Sequence, residues 1–361
     1  MQTEGDDALQ ERLGNDNDRV REFYNEAAAV FENAARAAGG AVETTYSLAE
    51  FPIRLRFAGP RLVSSITPAF AHLAVETRRP SALTVSIWDS VSTGTEMPPP
   101  PWSLDDYASR GAIRGFGDDR IQVAFGLGSC TLSMLDARLG RGLFWTRDAS
   151  VLPPFVCASP LLLILYWYMR GKGVQIIHAA AVGSDRGGAV LVGRSGSGKS
   201  TTALACLASG LLYGGDDYVL LAEGQKSFVH GIYNSAKIDV GMADRMPHLR
   251  KALERASAWD NGKAFAFLYE HFPEQTVSGF PLEAILVPRI AGLPATRLFR
   301  ISPAEALKSL APSTLFQLSG TGPEDFQRMG RWVTRIPCYA LELSNDPAEI
   351  SRAIARFLGE R

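Results

Sequence analysis

The segment that most constrains this chain is AVLVGRSGSGKSTTALACLASG, residues 189–210, where an apolar run enters a glycine-rich turn and then a helical pattern. The turn matches the motif G-x-x-x-x-G-K-[ST]. Glycines let the backbone curl so that several N–H groups converge on a phosphate, and the N-terminus of the following helix favours the same negative charge. The segment therefore predicts a strand, a phosphate-binding loop and a helix over residues 199–209 that ends before Gly210.

The residue types of this loop indicate a nucleotide and a metal ion. The Lys199 ammonium is expected to reach the outer phosphates, and the Ser200 hydroxyl is expected to hold Mg²⁺. The predicted nucleotide-binding residues are Gly193, Arg194, Ser195, Gly196, Ser197, Gly198, Lys199, Ser200 and Thr201.

Downstream, the stretch GLLYGGDDYVLL places Asp216 and Asp217 between two apolar runs. Gly and Asp are the default residues of a β-turn, so the pair has a purely structural interpretation. In the functional interpretation, strands deliver both carboxylates to the phosphates, where one holds Mg²⁺ and the other takes a proton from an attacking hydroxyl. Adjacent carboxylates repel each other, which favours a cation nearby. The residues alone leave both interpretations open.

Upstream, the stretch QIIHAAAVGSDRGGAVLVG predicts a β-hairpin around the turn SDRG. If Gly183 pairs with Gly188, His178 falls opposite Gly193, the first glycine of the loop. A slip of one residue would turn His178 to the other face. A lone histidine in an apolar strand is commonly a core residue, so the register decides whether it belongs to the site.

The order of these features resembles a known kinase family. A histidine shortly before the phosphate loop and an Asp-Asp pair after the next helix are similar to the C-terminal domain of HPr kinase/phosphorylase. Residues 178–221 more closely resemble the HPr-kinase-like proteins encoded beside lasso peptides, some of which phosphorylate a serine of the precursor peptide. These residues read HAAAVGSDRGGAVLVGRSGSGKSTTALACLASGLLYGGDDYVLL. The resemblance implies a mixed α/β fold with a P-loop kinase domain of the phosphoenolpyruvate-carboxykinase/HPr-kinase-like type.

The resemblance also implies a role for each matching residue. Lys199 and the loop N–H groups would bind the β- and γ-phosphates of ATP, with Ser200 and Asp216 as ligands of Mg²⁺. Asp217 would be the general base, Asp216 would assist with metal and orientation, and His178 would interact with the carboxylate pair. The implied catalytic residues are thus Asp217, Asp216, His178 and Lys199.

The chain departs from the family further on. Where the family has a Glu-Ile-Arg-Gly-type signature tied to phosphorolysis, residues 229–241 read VHGIYNSAKIDVG, with Asp239 as a weak replacement for the glutamate. We therefore expect kinase activity without the reverse phosphorylase activity. Lys237 is expected to be a surface lysine rather than a phosphate or peptide contact. Arg289 is expected to be solvated, with stabilisation of the transferred group as the alternative.

The expected reaction is transfer of the ATP γ-phosphoryl group to a hydroxyl, with a serine of a lasso-type ribosomal precursor peptide as acceptor. Two alternatives remain: a kinase for a small hydroxyl compound such as a sugar, and a nucleotide-gated binding protein with little turnover. The stretch QLSGTGPED, residues 317–325, is similar to the signature of ABC transporter ATPases, but no four apolar residues and Asp-Glu follow it, so that assignment is rejected.

The first part of the chain predicts a separate β-rich α+β domain. Residues 1–16 are acidic and polar and are expected to form a disordered tail. Three-four spacing predicts a helix over 18–38, and six β-like runs separated by Gly, Pro and Asp follow up to residue 150. We expect a domain over 17–150 that helps to hold the substrate, and an ATP-binding domain over 151–361.

Charge and composition exclude several partners. With 37 basic and 38 acidic residues the net charge is −1, which gives no electrostatic case for nucleic acid or an anionic membrane. The apolar run 161–169 is too short to cross a bilayer and predicts a buried helix. The four cysteines form no CxxC pair, which argues against a disulfide framework or zinc site and fits a reducing cytoplasm. The family resemblance suggests a homo-oligomer.

Overall fold

The computed structural model describes residues 3–359 apart from 78, 225, 240, 242–244, 259–262 and 319, and for residues 3–16 it describes the backbone. The chain forms two compact units. The first contains the residues up to Thr67, Ala74–Val156 and Leu161–Gly171, and the second contains Pro68–Leu73, Cys157–Pro160 and the residues from Lys172 on.

The described residues of the first unit form a sheet with helices around it. Its strands are β1 (Ala41–Leu48), β2 (Phe51–Ala58), β3 (Leu83–Asp89), β4 (Ile121–Gly126), β5 (Thr131–Asp136) and β6 (Arg141–Thr146), in the order β1-β2-β3-β6-β5-β4. Its helices are α1 (Thr3–Ala37), α2 (Val63–Ile66), α3 (Ser90–Thr93), α4 (Pro154–Ala158), which crosses the division between the units, and α5 (Leu162–Arg170). Each β-like run predicted from the sequence corresponds to one strand.

Helix α1 begins earlier than the sequence predicts. The periodic part buries Phe23, Ala27 and Phe31, and the Phe31 ring lies 6.2 Å from that of Trp88. The backbone of residues 3–16 continues this helix, whereas the sequence predicts a disordered tail there. Acidic residues near a helix N-terminus complement its dipole, and Ala, Leu, Gln, Glu and Arg have good helix propensity, so this polar segment is compatible with helix.

The boundary between the units also differs from the predicted one at residue 150. Helix α5 is the predicted buried apolar helix, but it belongs to the first unit. Its Tyr168 hydroxyl donates to the Ala82 carbonyl at 3.0 Å. Ile164 packs closely on Gly142 of β6, since a Cβ added to this glycine would lie only 2.9 Å from Ile164 Cγ2. A helix that is apolar on all sides must be buried, and the sheet of the first unit covers α5. Among the described residues, no helix is both long and apolar enough to cross a membrane.

The second unit contains a mixed sheet. Its described strands are β7 (Val174–Ile177), β8 (Ala179–Ser184), β9 (Gly187–Val192), β10 (Leu212–Gly215), β11 (Val219–Ala222), β12 (Phe228–Gly231), β13 (Ser235–Asp239), β14 (Ser257–Ala258), β15 (Lys263–Phe267), β16 (Gly279–Leu293), β17 (Arg297–Arg300) and β18 (Cys338–Ser344). The main sheet has the order β10-β8-β9-β16-β12-β11-β7, β18 pairs with β16 and β17, and β13-β15-β14 form a small separate sheet. Strands β9 and β16 are parallel, while β8 and β9 are antiparallel, so the expectation of a mixed α/β fold is confirmed.

Helices cover both faces of the main sheet. The described helices of this unit are α6 (Lys199–Ala208), α7 (Arg250–Glu254), α8 (Pro303–Leu315), α9 (Pro323–Arg335) and α10 (Pro347–Gly359). Residues of α6 and α10 pack on Ala180 and Val182 of β8, whereas residues of α8 and α9 pack on the alternate residues Ala179 and Ala181. The stretch QLSGTGPED lies at the turn between α8 and α9, where the Asp325 carboxylate accepts the Gly322 N–H at 2.9 Å; Ser319 falls outside the described residues.

Candidate functional site

The β8–β9 hairpin sets the position of His178. Gly183 pairs with Gly188 and Ala179 pairs with Val192, which is the one of the two registers considered that turns His178 towards the glycine loop. His178 therefore precedes β8 at the level of Gly193, the first residue of the glycine loop (residues 193–198). Its backbone N–H donates to Thr314 Oγ1 at 3.1 Å, and its side chain is buried.

The glycine loop has a backbone that other residues adopt only with strain. Gly193, Gly196 and Gly198 have φ values of 153°, 79° and 102°. A Cβ on Gly193 would lie 2.8 Å from Ser197 Oγ, and a Cβ on Gly198 would lie 2.5 Å from Leu343 Cδ1. Helix α6 begins directly after the loop, so the N–H groups of its first turn lack intrahelical partners. The loop and helix together can bind an anion through backbone amides.

Lys199 places a cation inside this loop. Its Nζ donates to the carbonyl oxygens of Gly193 at 2.8 Å and Arg194 at 3.3 Å, and the residue is 6% exposed. Burial lowers the pKa of Lys199, while the carboxylates of Asp216 and Asp217 act in the opposite direction. The lysine thus lies between the loop carbonyls and the acid pair.

Among the described residues, neither oxygen of the buried Asp216 carboxylate accepts a hydrogen bond of ordinary geometry, although the Ser200 hydroxyl is near enough to act on it. Asp216 is 2% exposed. Burial and the neighbouring Asp217 raise its pKa, against the effect of the Ser200 hydroxyl and Lys199. A buried carboxylate that lacks donors is costly to fold, and a bound cation would remove that cost. The carboxylate of Asp216 and the hydroxyl of Ser200 are hard oxygen ligands of the kind that Mg²⁺ takes, so these residues fit the predicted metal.

Asp217 is held in a tight turn. Its φ is +64°, and its carbonyl accepts the N–H of Ala179 at 3.2 Å, which ties the acid pair to the start of β8. Its Oδ1 lies 3.6 Å from His178 Nε2, and its Oδ2 lies 2.5 Å from Lys237 Nζ. Burial acts to raise the pKa of Asp217, but the interactions with His178 and Lys237 outweigh it and lower the pKa to about 2. The carboxylate is therefore ionised at neutral pH.

The structure brings His178, Lys199, Asp216 and Asp217 together, and their individual roles stay predictions. Lys237 corrects an expectation, because it forms an ion pair with Asp217 instead of being an unattached surface lysine. Lys237 points to the opposite face of β13 from its buried neighbours Ala236 and Ile238. The alternation in the sequence SAKID predicts this face, but it does not show which residues the face contacts.

Two other expectations have different outcomes. Asp239 is exposed at the end of β13, where its carboxylate accepts the Gly241 N–H at 2.9 Å. Arg289, expected to be solvated, forms an ion pair with Glu305 and lies 5.9 Å from the ring of Phe299. Its charge is thus already balanced by a carboxylate.

Sequence reasoning missed the contribution of the end of α8. Thr314 accepts the His178 N–H, and the Tyr218 hydroxyl donates to Gln317 Oε1 at 3.0 Å. The Tyr218 ring lies 5.9 Å from that of His178. Tyr218 directly follows Asp217, which was the one available signal, but nothing in the sequence pairs it with a residue so far along the chain.

Comparison with known proteins gives only weak structural similarity. No model of a known protein family matches the chain, and no curated protein matches it. Among solved structures, the Hpr(Ser) kinase/phosphatase from Coxiella burnetii matches with a TM-score of 0.28 and 15% identity, over 52% of this chain and 93% of that one. Similarity at this TM-score is too low to carry an argument, so the function is inferred from the geometry of the site.

Proposed function

We propose that this protein transfers the γ-phosphoryl group of ATP to a hydroxyl group. The observation that carries the proposal is the Asp216 carboxylate, which is buried without a hydrogen bond of ordinary geometry in the described structure, beside a lysine inside a glycine loop. The arrangement offers amide N–H groups and an ammonium for phosphates and oxygen ligands for a divalent cation. A phosphate-binding site with oxygen ligands for a cation next to an ionised carboxylate suits phosphoryl transfer.

Each residue then has a chemical task. The amides of the glycine loop and Lys199 bind and orient the phosphates, and Ser200 and Asp216 would hold Mg²⁺, which neutralises charge on the phosphates when bound. Asp217 accepts a hydrogen bond from the attacking hydroxyl, orients it, and takes its proton as the new oxygen–phosphorus bond forms and the bond to ADP breaks. A carboxylate with a pKa of about 2 is a weak base, but phosphoryl transfer depends mainly on positioning and charge stabilisation, so orientation is the larger contribution.

We propose a serine of a ribosomally synthesised, lasso-type precursor peptide as the acceptor. This choice rests on the resemblance of residues 178–221 to kinases of such peptides. The first unit would help to hold the peptide, in the cytoplasm. A sugar-type small-molecule kinase is the alternative with the same site.

A nucleotide-gated binding protein with little turnover is a second candidate, favoured by one observation. Asp217 is already paired with Lys237, so its charge is partly neutralised before any hydroxyl arrives. Such a protein would use the ion pair as a structural contact and bind ATP without transferring phosphate.

Incubation with Mg-ATP and candidate peptides, read by mass spectrometry, tests the proposal. The wild type should add the mass of one phosphoryl group to a serine peptide. Asp217→Asn should retain ATP binding and lose at least about a hundredfold in transfer rate, as is typical for loss of a positioned acid–base group. Lys199→Ala should weaken both binding and transfer.

Asp185→Asn is the matched control, since Asp185 lies in the β8–β9 turn and is exposed. It should behave as the wild type. Transfer by Asp217→Asn at the wild-type rate would contradict the proposal, and ATP binding with no transfer to any hydroxyl acceptor would favour the binding protein.

A further inference from the structure

A cleft of about 760 Å³ lies beside the glycine loop, and most of its lining has no role in the chemistry above. Its walls are the loop residues Gly193–Ser197, the end of β16 from Val287 to Ile290, and one side of α8 with the turn that follows it. Small-molecule sites in proteins commonly enclose roughly 300–1,000 Å³. The cleft therefore has room for a sizeable ligand that also touches the loop.

The sheet order places the β16 wall of this cleft on the opposite flank of the loop from β8, the strand next to the acid pair. Strand β9, which leads into the loop, has β8 on one side and β16 on the other. Asp217 is hydrogen-bonded to Ala179 at the start of β8, whereas the cleft is bounded by β16. Phosphates bound at the loop would lie between the two.

Phosphoryl transfer requires this kind of separation. The attacking oxygen and the leaving oxygen lie roughly in line on opposite sides of the transferred phosphorus. If the acceptor hydroxyl approaches from Asp217, the remainder of the donor nucleotide leads away from Asp217. The nucleoside is therefore expected on the flank bounded by β16.

Part of the cleft lining suits a flat, uncharged group, although Arg194 and Lys308 also line the cleft. Phe316 is 68% exposed and Ile290 is 70% exposed, although both are large apolar side chains, and both line the cleft. An exposed aromatic ring is a stacking platform for a nucleobase. Arg289, the charged group of the β16 wall, is already paired with Glu305. An aromatic heterocycle can therefore enter without displacing an unpaired charge from that wall.

We propose that this cleft holds the nucleoside portion of the phosphoryl donor, with the base stacked on Phe316 and Ile290 on the neighbouring wall. The inference rests on the proposed function for the position of the phosphates. It assigns Phe316 a role in binding the donor rather than in folding or in chemistry.

Calorimetric binding of Mg-ATP and of magnesium tripolyphosphate, which carries the phosphates without a nucleoside, tests the inference. Phe316→Ala should weaken Mg-ATP by at least about fivefold, because base–aromatic stacking contributes about that much or more. It should leave tripolyphosphate affinity within twofold of wild type, and Phe316→Trp should retain ATP affinity. Phe326→Ala is the matched control, since Phe326 is a 46% exposed residue of α9 outside the cleft walls.

Three results would overturn the inference. Unchanged ATP affinity in Phe316→Ala would exclude the stacked base. A raised KM for the acceptor with unchanged ATP affinity would show that the acceptor occupies the cleft instead. Equal weakening of ATP and tripolyphosphate would show an effect through the loop. Failure of the proposed function can be distinguished from failure of this inference. Wild-type protein that binds neither ligand would contradict both the kinase function and the nucleoside site. ATP binding that depends on Phe316, without transfer to any acceptor, would contradict only the kinase function.

Discussion

Lys237 is the single side chain that most changes the interpretation of the acid pair. Its ammonium contacts Asp217, whose other oxygen faces His178. The lysine both neutralises the carboxylate and fixes its orientation. An acceptor hydroxyl would have to approach Asp217 within this arrangement.

We predict that Lys237→Met lowers the transfer rate by at least about tenfold and changes the dissociation constant of Mg-ATP by less than about threefold. The reason is that the substitution removes the partner that orients Asp217 without touching the glycine loop. Steady-state kinetics with separate ATP titrations measure the two effects, and Lys237→Arg should recover part of the rate. Lys251→Met, in the exposed face of α7, is the control. A Lys237→Met enzyme as fast as wild type would show that the ion pair is structural only.

His72 gives a pH prediction that is independent of the site. Its Nδ1 is buried without a hydrogen-bond partner among the described residues, and burial lowers its pKa to about 4 from 6.5. The unfolded chain therefore takes up this proton first as pH falls. The neutral histidine is compatible with the fold above the unfolded pKa, and stability is lost as pH decreases from about 6.5 towards 4.

We predict that His72→Gln flattens the dependence of the urea midpoint on pH between about 7 and 5. The exposed His248 provides the control, because His248→Gln should leave the wild-type slope. If the urea midpoint of His72→Gln depends on pH as steeply as that of the wild type, the protonated His72 ring must be hydrated in the folded protein.

Among the elements, the β8–β9 hairpin was the most predictable and the most informative. Its apolar runs and its turn follow from the sequence, whereas the sequence left its register open, and the structure has the alignment with Gly183 opposite Gly188. The six strands of the first unit were predictable for a similar reason, since turn residues separate their β-like runs. The glycine loop and α6 followed from the spacing of the motif.

The contacts that complete the site were not predictable. Alternation in SAKID shows that Lys237 faces away from Ala236 and Ile238, but not that this face meets Asp217. The hydrogen bond from Tyr218 to Gln317 likewise joins residues far apart in sequence. Periodicity specifies which face of an element is apolar, and long-range packing alone decides which elements meet.

The hairpin also has a packing requirement that can be measured. A Cβ on Gly188 would lie 2.3 Å from the Phe280 ring and 2.4 Å from the Val182 carbonyl. We predict that Gly188→Ala lowers the stability of the second unit by about 2 kcal/mol or more, because backbone and ring must both shift. It should also weaken Mg-ATP binding, because the hairpin leads into the loop.

Gly330→Ala is the matched comparison, since in the described part of the chain no atom outside the nearby backbone of α9 lies within 4 Å of its added Cβ. That variant should be stabilised by roughly 0.5–1 kcal/mol through the lower entropy of the unfolded chain. Thermal unfolding followed by circular dichroism gives both values. Equal melting temperatures for the two variants would contradict the predicted packing.

For the molecule as a whole, the second unit is not one continuous stretch of sequence. Residues 68–73 and 157–160 belong to it, although the sequence indicates a single domain from residue 151 on. Three consecutive residues hold these segments. The Tyr233 and Ser235 side chains donate to the carbonyls of Pro160 at 2.9 Å and Ala158 at 2.6 Å, and the Tyr233 ring lies 5.4 Å from that of Phe70.

Asn234, between them, is fully buried and makes the most hydrogen bonds to the earlier segment. Its Nδ2 donates to the carbonyls of Pro68 at 2.7 Å and Ala69 at 3.0 Å, and its backbone N–H also donates to Ala69 at 2.9 Å. Its Oδ1 accepts the N–H of Tyr269 at 3.3 Å. One side chain thus joins residues 68–69 to the body of the second unit.

We predict that Asn234→Ala in the full-length chain lowers the stability of the second unit by about 2–4 kcal/mol. The substitution removes the side-chain partner of the Pro68 carbonyl and of the Tyr269 N–H, and it removes one of the two hydrogen bonds to the Ala69 carbonyl. Each unsatisfied buried group costs about 1–3 kcal/mol, part of which relaxation recovers. Asn33→Ala, on the exposed side of α1, should change stability by less than about 0.5 kcal/mol. Urea unfolding monitored through Mg-ATP binding reports the second unit selectively. A midpoint for Asn234→Ala equal to that of Asn33→Ala would mean that the side-chain hydrogen bonds of Asn234 do not stabilise the second unit.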